Sequence, residues 1–206
     1  MSDGIYTAAS GLLIRQRQLA AVSHNLANAN TPGYLQESLR FQDHLITEDD
    51  AVHQVDEGER FLRQNDGFIE KTGRPLDFAV SDGAVLVVGK GDQMALTRNG
   101  MFQVSREGQI VNQAGMALLG KDLQPIAVGE LAGEEIVVDT DGTVWAGKSQ
   151  VGSIATAQIS QDDALKPMGN ATYEVDPKNL RLVEGAEVLQ GHLHTSNVNS
   201  VNRPRR

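Results

Sequence analysis

The sequence predicts an α+β protein, mainly β: one long N-terminal α-helix followed by a β-rich domain of short strands and hairpins. Two observations carry that expectation. Over residues 3 to about 29, Ile5, Leu12, Leu19 and Leu26 recur at a strict seven-residue spacing, Ala8 and Val22 follow two of them by three residues, and no proline intervenes, so one stripe of a helix is apolar. From about Leu76 the period falls to two, the residues become β-branched and glycine-containing turns recur, which is the pattern of short strands. A chain of 206 residues, 40% hydrophobic and 22% charged, can bury one good core, so one compact domain with extensions is expected.

The elements follow in order as segments 1–36, 37–69, 70–185 and 186–206. In the first, Ser2 or Asp3 can cap the helix, and Gly11 weakens it by about 1 kcal/mol. No Asp, Glu, Lys or Arg occurs between Gln18 and Gln36, so Ser23, His24, Asn25 and Asn28 read as a polar surface covered by other subunits rather than by water. Asn28 and Asn30 tolerate a left-handed backbone, and Pro32-Gly33 suits the centre of a type II turn. Asn25, Asn28, Thr31, Pro32, Gly33 and Tyr34 therefore form the helix stop and turn. From Glu37 to Ile69 the periodicity is poor and acids gather, from Glu48, Asp49 and Asp50 to Asp56, Glu57 and Glu59; this reads as a connector with a short helix around Leu39 to Ile46.

In the third segment, strands are expected at Phe78-Ala79-Val80, Val85 to Val88, Gln109 to Val111, Ile136 to Val138 and Ile154 to Ile159, with tight hairpins at Asp82-Gly83, Asn99-Gly100, Glu107-Gly108 and Asp141-Gly142. Arg98, beside one of these turns, reads as a surface residue making an ion pair or a subunit contact rather than a catalytic group.

The stretch Asn25-Leu26-Ala27-Asn28-Ala29-Asn30-Thr31-Pro32-Gly33-Tyr34 resembles the N-L-A-N-x-x-T-x-G-Y/F signature that ends the N-terminal helix of the axial rod and hook proteins of the bacterial flagellum. The likeness continues, in the family's order, through Thr72-Gly73-Arg74-Pro75-Leu76-Asp77, Thr97-Arg98-Asn99-Gly100, and Gln190-Gly191 with Ser196-Asn197-Val198. The short link after the helix is more like that of a proximal rod protein than of the distal rod or hook proteins. The resemblance implies a structural subunit of the basal-body rod that self-assembles by helix packing into an axial filament and transmits torque. It implies other rod and hook-basal-body subunits and the flagellar type III export apparatus as partners, and a final place in the rod, across the periplasm. In the family a C-terminal helix pairing with the N-terminal one follows the S-N-V segment; here Asn199 to Arg206 stands in its place, so that helix is expected to be missing.

Composition excludes several other classes. Net charge is −9 and the one basic cluster is Arg203-Pro204-Arg205-Arg206, too little concentrated cation for nucleic acid. The absence of cysteine removes disulfides, thiol chemistry and Cys-ligated metal. Asp3, Arg15 and Arg17 prevent a cleavable signal or a membrane span from being drawn at the N-terminus.

The rival reading is a nucleotide-binding enzyme. Gly142 to Ser149 spells G-x-x-x-x-G-K-S after an apolar run, and Lys148 and Ser149 would then hold phosphate and metal. The chemistry needs a following helix whose N-terminus faces the anion, and Gln150 to Ile159 alternates like a strand with Gly152 in it. Asp139 and Asp141 begin like a calcium loop, but Val144 and Gln150 stand where its glycine and closing carboxylate belong. His192 and His194 share one side of a strand but lack a third ligand, and read as solvated or interfacial. No catalytic residue, cofactor, metal or small-molecule substrate is expected. The candidate site is an assembly seam of Ile5, Leu12, Leu19, Val22 and Leu26, ended by the stop and turn.

Overall fold

The computed structural model describes residues 2–40, 59–62, 68–129, 133–159 and 166–198, with backbone alone for 2–8, 10, 39–40 and 59–62. Helix α1, Ser2–Ala27, is followed by antiparallel strands: β1 Glu37–Arg40, β2 Glu59–Leu62, β3 Ile69–Lys71, β4 Phe78–Val80, β5 Ala84–Lys90, β6 Gln93–Thr97, β7 Phe102–Val104, β8 Ile110–Asn112 and β9 Ala117–Leu118. Then come β10 Ile136–Val138, β11 Thr143–Ala146, β12 Ser149–Ser153, β13 Thr156–Gln158, β14 Lys166–Gly169, β15 Thr172–Glu174, β16 Val188–Gln190 and β17 His192–His194. The α+β, mainly β class read from the sequence is the one found.

Seven of these strands run in the order β14-β15-β6-β5-β9-β8-β7, and β13 adds to β5. β10, β11 and β12 make a smaller sheet, and β16-β4, β17-β3 and β1-β2 pair separately. β5 explains the packing. Its run Val85-Leu86-Val87-Val88 does not alternate with polar residues because both faces are covered. Leu86 and Val88 join Phe78, Phe102, Ile110, Leu118, Val144, Ile154 and Val188 on one side. Val85 and Val87 join Leu35, Leu96, Leu119, Ala157, Tyr173 and Val175 on the other. The Phe78 and Phe102 rings lie 5.7 Å apart at a tilted angle, a favourable aromatic arrangement. Leu35, eight residues past the end of α1, is almost wholly enclosed in the second cluster and so nails the end of the helix to the β-rich part.

Several expectations need correction. Residues 37–40 form a strand in register with 59–62, Glu37 opposite Leu62 and Arg40 opposite Glu59, and not the start of a helix; the remainder of the expected helix, 41–46, lies outside the described residues. Ile154 to Ile159 is not one strand: Ile154 bridges Gly120, and β13 begins at Thr156. Glu107-Gly108 and Asp141-Gly142 do turn antiparallel pairs, β7 with β8 and β10 with β11. Asn99-Gly100 does not, because β6 and β7 stand at different places in the sheet. Asp82-Gly83 makes a tight turn with φ of 58° and 68°, closed by Ala84 N–H to the Ser81 carbonyl at 3.1 Å, but it joins strands that pair with different neighbours.

Candidate assembly site

The helix ends through side-chain capping. The Asn28 backbone N–H and its Nδ2 both donate to the His24 carbonyl, at 3.1 and 2.9 Å, and Thr31 Oγ1 donates to Asn28 Oδ1 at 3.1 Å. The His24 carbonyl in the last turn thus accepts two bonds, one of them from the Asn28 side chain. Neither Asn28 nor Asn30 adopts the left-handed backbone expected of it. Tyr34 N–H donates to the Thr31 carbonyl at 3.2 Å across Pro32 and Gly33, with Gly33 at φ 69°, the geometry of a type II turn.

Gly33 is required twice over, by its positive φ and because a Cβ there would overlap the Arg98 carbonyl. Its N–H donates to the His194 carbonyl at 2.8 Å. The chain beyond it is held from two sides. Asn25 Nδ2 donates to the Glu37 carbonyl and Asn25 Oδ1 accepts from the Glu37 N–H, both at 2.9 Å, and the Tyr34 hydroxyl donates to the same oxygen at 3.2 Å. On the other side Asn197 Oδ1 accepts from Gln36 N–H at 2.6 Å, and Asn197 N–H donates to the Tyr34 carbonyl at 3.2 Å. Asn25 is therefore spent inside its own chain and is buried, contrary to the expectation that other subunits cover it. Burial first, and then the Glu37 carboxylate, push the Tyr34 hydroxyl up to about 12; burial likewise raises Tyr173 above the usual tyrosine range.

The floor of this junction joins segments far apart in sequence. Arg98 and His194 are both buried, which corrects their reading as surface or solvated residues. Arg98 Nη2 lies 3.2 Å from His194 Nδ1. A guanidinium only donates, so Nδ1 accepts and the ring proton sits on Nε2, which donates to the Val80 carbonyl at 2.8 Å; the Val80 N–H, 3.3 Å from the same nitrogen, then finds no lone pair there.

Gly100 has no positive φ; it is glycine because a Cβ would coincide with the Phe78 carbonyl. The closeness lets Phe78 N–H reach the Gly100 carbonyl at 3.0 Å. Thr72 Oγ1 donates to Asp77 Oδ2 at 2.6 Å, Gly191 N–H to the Asp77 carbonyl at 2.8 Å, and Thr72 N–H to the Gly191 carbonyl at 2.8 Å. Arg98, Gly100, His194 and Asn197 were not singled out as site residues. The segments holding three of them were visible in the family likeness, but nothing local announces that they meet.

The seam residues lie elsewhere. α1 packs on β1 with Ile14, Gln18 and Ala21 partly covered and Asn25 buried. Leu12, Leu19, Val22 and Leu26 point away from that face and are 72%, 68%, 62% and 66% exposed. Ile5 lies on the same helix, within its backbone-only part. The stop and turn thus form one built junction, and the apolar stripe runs outward from it.

The rival sites dissolve. Gly142 to Ser149 lies in the β11–β12 hairpin, with Gly147 at φ 59° and Lys148 at its tip, and Ser149 opens a strand, not a helix. Asp139 Oδ2 accepts from Trp145 Nε1 at 2.8 Å and Asp141 Oδ1 from Thr143 N–H at 2.9 Å, so both carboxylates serve the hairpins; that backbone bond holds Asp141 below the ordinary carboxylate value. Among the described residues no three metal-ligating side chains gather, and no helix is long and apolar enough to cross a membrane.

Residues 5–34 match the family model described as flagella basal body rod protein, and residues 81–146 that of the flagellar hook protein FlgE/F/G D1 domain. The chain is similar to the flagellar basal-body rod protein FlgF of Salmonella typhimurium, 32% identical over 196 residues that cover 93% of this chain and 76% of that protein. It is 29% identical to FlgF of Rhizobium meliloti over 98% of this chain and 84% of that protein. The flagellar hook protein FlgE of Rhizobium meliloti is 28% identical over 70% of this chain and 38% of that protein. Likeness to rod proteins over nearly the whole of this chain, with the hook likeness confined to part of the longer hook protein, fits the junction and stripe described above, and the chain belongs to the family of flagellar basal-body rod proteins, structural subunits of the flagellum.

Proposed function

We propose that this subunit builds into the rod by packing the exposed stripe of α1 against helices of neighbouring rod and hook-basal-body subunits, while the β-rich part forms an outer layer. The observation that carries the reading is the set of four large apolar side chains left bare at heptad spacing on a helix seated at one end. Such a stripe is stabilised when a partner helix covers it. A head-to-tail contact of this kind repeats along an axis without closing. The junction around Gly33, Arg98 and His194 then fixes the helix to the outer part, so that torque applied to one is passed to the other.

The role is mechanical and not enzymatic, without nucleotide, metal or small-molecule substrate; the placement of the phosphate-loop-like run in a hairpin supports this. The resemblance to rod proteins supports passage through the flagellum's own type III export apparatus and residence in the rod where it spans the periplasm.

Leu12→Asp and Leu19→Asp test the seam. Each places a carboxylate in a contact that must lose its water, at a cost of roughly 3 kcal/mol or more. In cells whose own copy is replaced by either variant, incorporation into isolated basal bodies and swimming should be lost, while the purified variant keeps the wild-type β circular dichroism. Normal, motile flagella with Leu12→Asp would end this reading of the stripe.

A further inference from the structure

The junction holds a side chain whose charge changes within the ordinary range of pH. A free imidazole titrates near pH 6.5, and His194 is buried beside Arg98 beneath the turn that follows α1. Its ring is bonded at both nitrogens: the Nε2 proton goes to the Val80 carbonyl at 2.8 Å, and Nδ1 lies 3.2 Å from Arg98 Nη2, a group that only donates. These bonds require the neutral ring. A second proton, on Nδ1, would point one N–H at another and set a positive charge against a guanidinium that does not release its own proton. Out of water the two charges repel strongly. The seat of α1 rests on the same pair, because the Gly33 N–H donates to the His194 carbonyl at 2.8 Å and the Gly33 backbone lies so close to the Arg98 carbonyl that no Cβ would fit.

The neighbouring ionisable groups act elsewhere or in the opposite sense. β4 carries none; Asp77, just before it, is committed to Thr72 and Arg74, and Asp82, just after it, is exposed beside Ser81. β3 brings Glu70 and Lys71, exposed and opposite Leu193 and His192. Tyr173 lies within reach of the Arg98 charge. The turn after α1 brings Tyr34 and Glu37, and the Glu37 carboxylate stands 3.9 Å from His24 Nδ1; a proton on His24 would strengthen that pair and tighten the seat. We propose that Arg98 and His194 form an acid-released latch, closed while the ring is neutral and opened by its protonation, which frees α1 and its turn from a β-rich part that stays folded. Once open, the ring reaches water and takes up a proton as pH falls through about 6.5. The closed form holds one proton fewer, so its stability declines with falling pH, and the open population grows by up to about tenfold per pH unit. The latch works whatever packs on the stripe of α1.

Hydrogen exchange on the purified full chain at pH 7.5 and pH 5 tests it, each rate taken relative to the intrinsic chemical rate at that pH. Protection of the Gly33, Gln36 and Asn197 amides should fall roughly tenfold or more at pH 5, while the β5 amides keep theirs. His194→Gln supplies an amide that can accept from Arg98 and donate to Val80 without titrating, and its junction protection should be the same at both pH values. His24→Gln should show the wild-type fall. Nitrogen NMR of the wild-type histidines gives a reading that needs no variant: His194 should carry its proton on Nε2 at pH 7.5, and its second proton should arrive together with the loss of Gly33 protection. Junction protection unchanged at pH 5, an equal fall in His194→Gln, a fall abolished by His24→Gln, or a His194 ring that becomes charged while Gly33 stays protected overturns the proposal.

Discussion

Asn25 shows how much of this protein's order hangs on single side chains. One edge of its amide presents an N–H and the carbonyl oxygen side by side as a peptide group does, and Glu37 meets both, so the helix extends a strand-like handshake to the chain that follows its turn. The Tyr34 hydroxyl adds a third bond to the same amide. Because that hydroxyl is pushed from 10.0 up to about 12, the folded chain holds the proton more tightly than the unfolded one. Its contribution is fully present below pH 10 and is lost as pH rises through 12. Denaturant midpoints measured from pH 9 to 12 should fall more steeply for the wild type than for Tyr34→Phe, which at neutral pH should itself be about 1 kcal/mol less stable. Parallel curves would mean that Tyr34 titrates normally. At this scale the sequence was only partly legible. Gly33 could be assigned from the Thr31-Pro32-Gly33-Tyr34 order because a type II turn is a local object. Arg98 and His194 could not, since they are 96 residues apart and a buried arginine is spelled like a surface one. Gly100 misled for a related reason: a glycine needed for close approach to Phe78 looks, in sequence, like one needed for a turn.

Elements were read best where one signal decided them. α1 follows from its heptads, and β5 from an unbroken apolar, valine-rich run. Where two signals conflict, context decides, as it does at the hairpin of β11 and β12. Its eight letters fit a phosphate loop, yet Trp145 points its Nε1 at Asp139 and pairs across to Val137 and Gln150, and the chain continues as strand. The Gly147 N–H is bonded to the Glu135 carbonyl at 2.9 Å and Ser149 opens a strand paired with β11, so no helix follows whose N-terminal amides could face an anion. Lys148→Ala should therefore leave motility and melting temperature within experimental error of the wild type. Magnesium with ATP should not raise the melting temperature of either, because a ligand that binds only the folded state must stabilise it. A magnesium-dependent shift abolished by Lys148→Ala would restore the nucleotide reading. β1 was missed as a strand because four residues in an acid-rich stretch carry too little periodicity to be seen; its pairing with β2 depends on chain that returns some twenty residues later.

For the molecule as a whole, the contrast is between a β-rich part covered on both faces of its central strand and a helix with its partner face bare. The first is held by two clusters of large side chains; the second is held at its C-terminal end by Asn25, Tyr34, Leu35 and Asn197. A helix of 26 residues that buries only a narrow face is marginal by itself in water, so free energy of opening must rise along α1 towards the junction. The order of the sequence made the contrast visible, but not where the boundary falls, because the residues that set it come from Arg98, His194 and Asn197. Hydrogen exchange on the purified monomer should show it directly. Amides from about residue 5 to 22 should exchange fastest, the Gly33, Tyr34, Gln36 and Glu37 amides should be slowed by at least tenfold relative to them, and the β4 to β9 and β13 strands should be slowest. Gly33→Ala should then erase protection at the junction, since its Cβ displaces the Arg98 backbone, while leaving β5 protected. Strong protection along the whole of α1 in a proven monomer would show that the stripe is already covered within the chain, and the helix would no longer be the part of the subunit that waits for a neighbour.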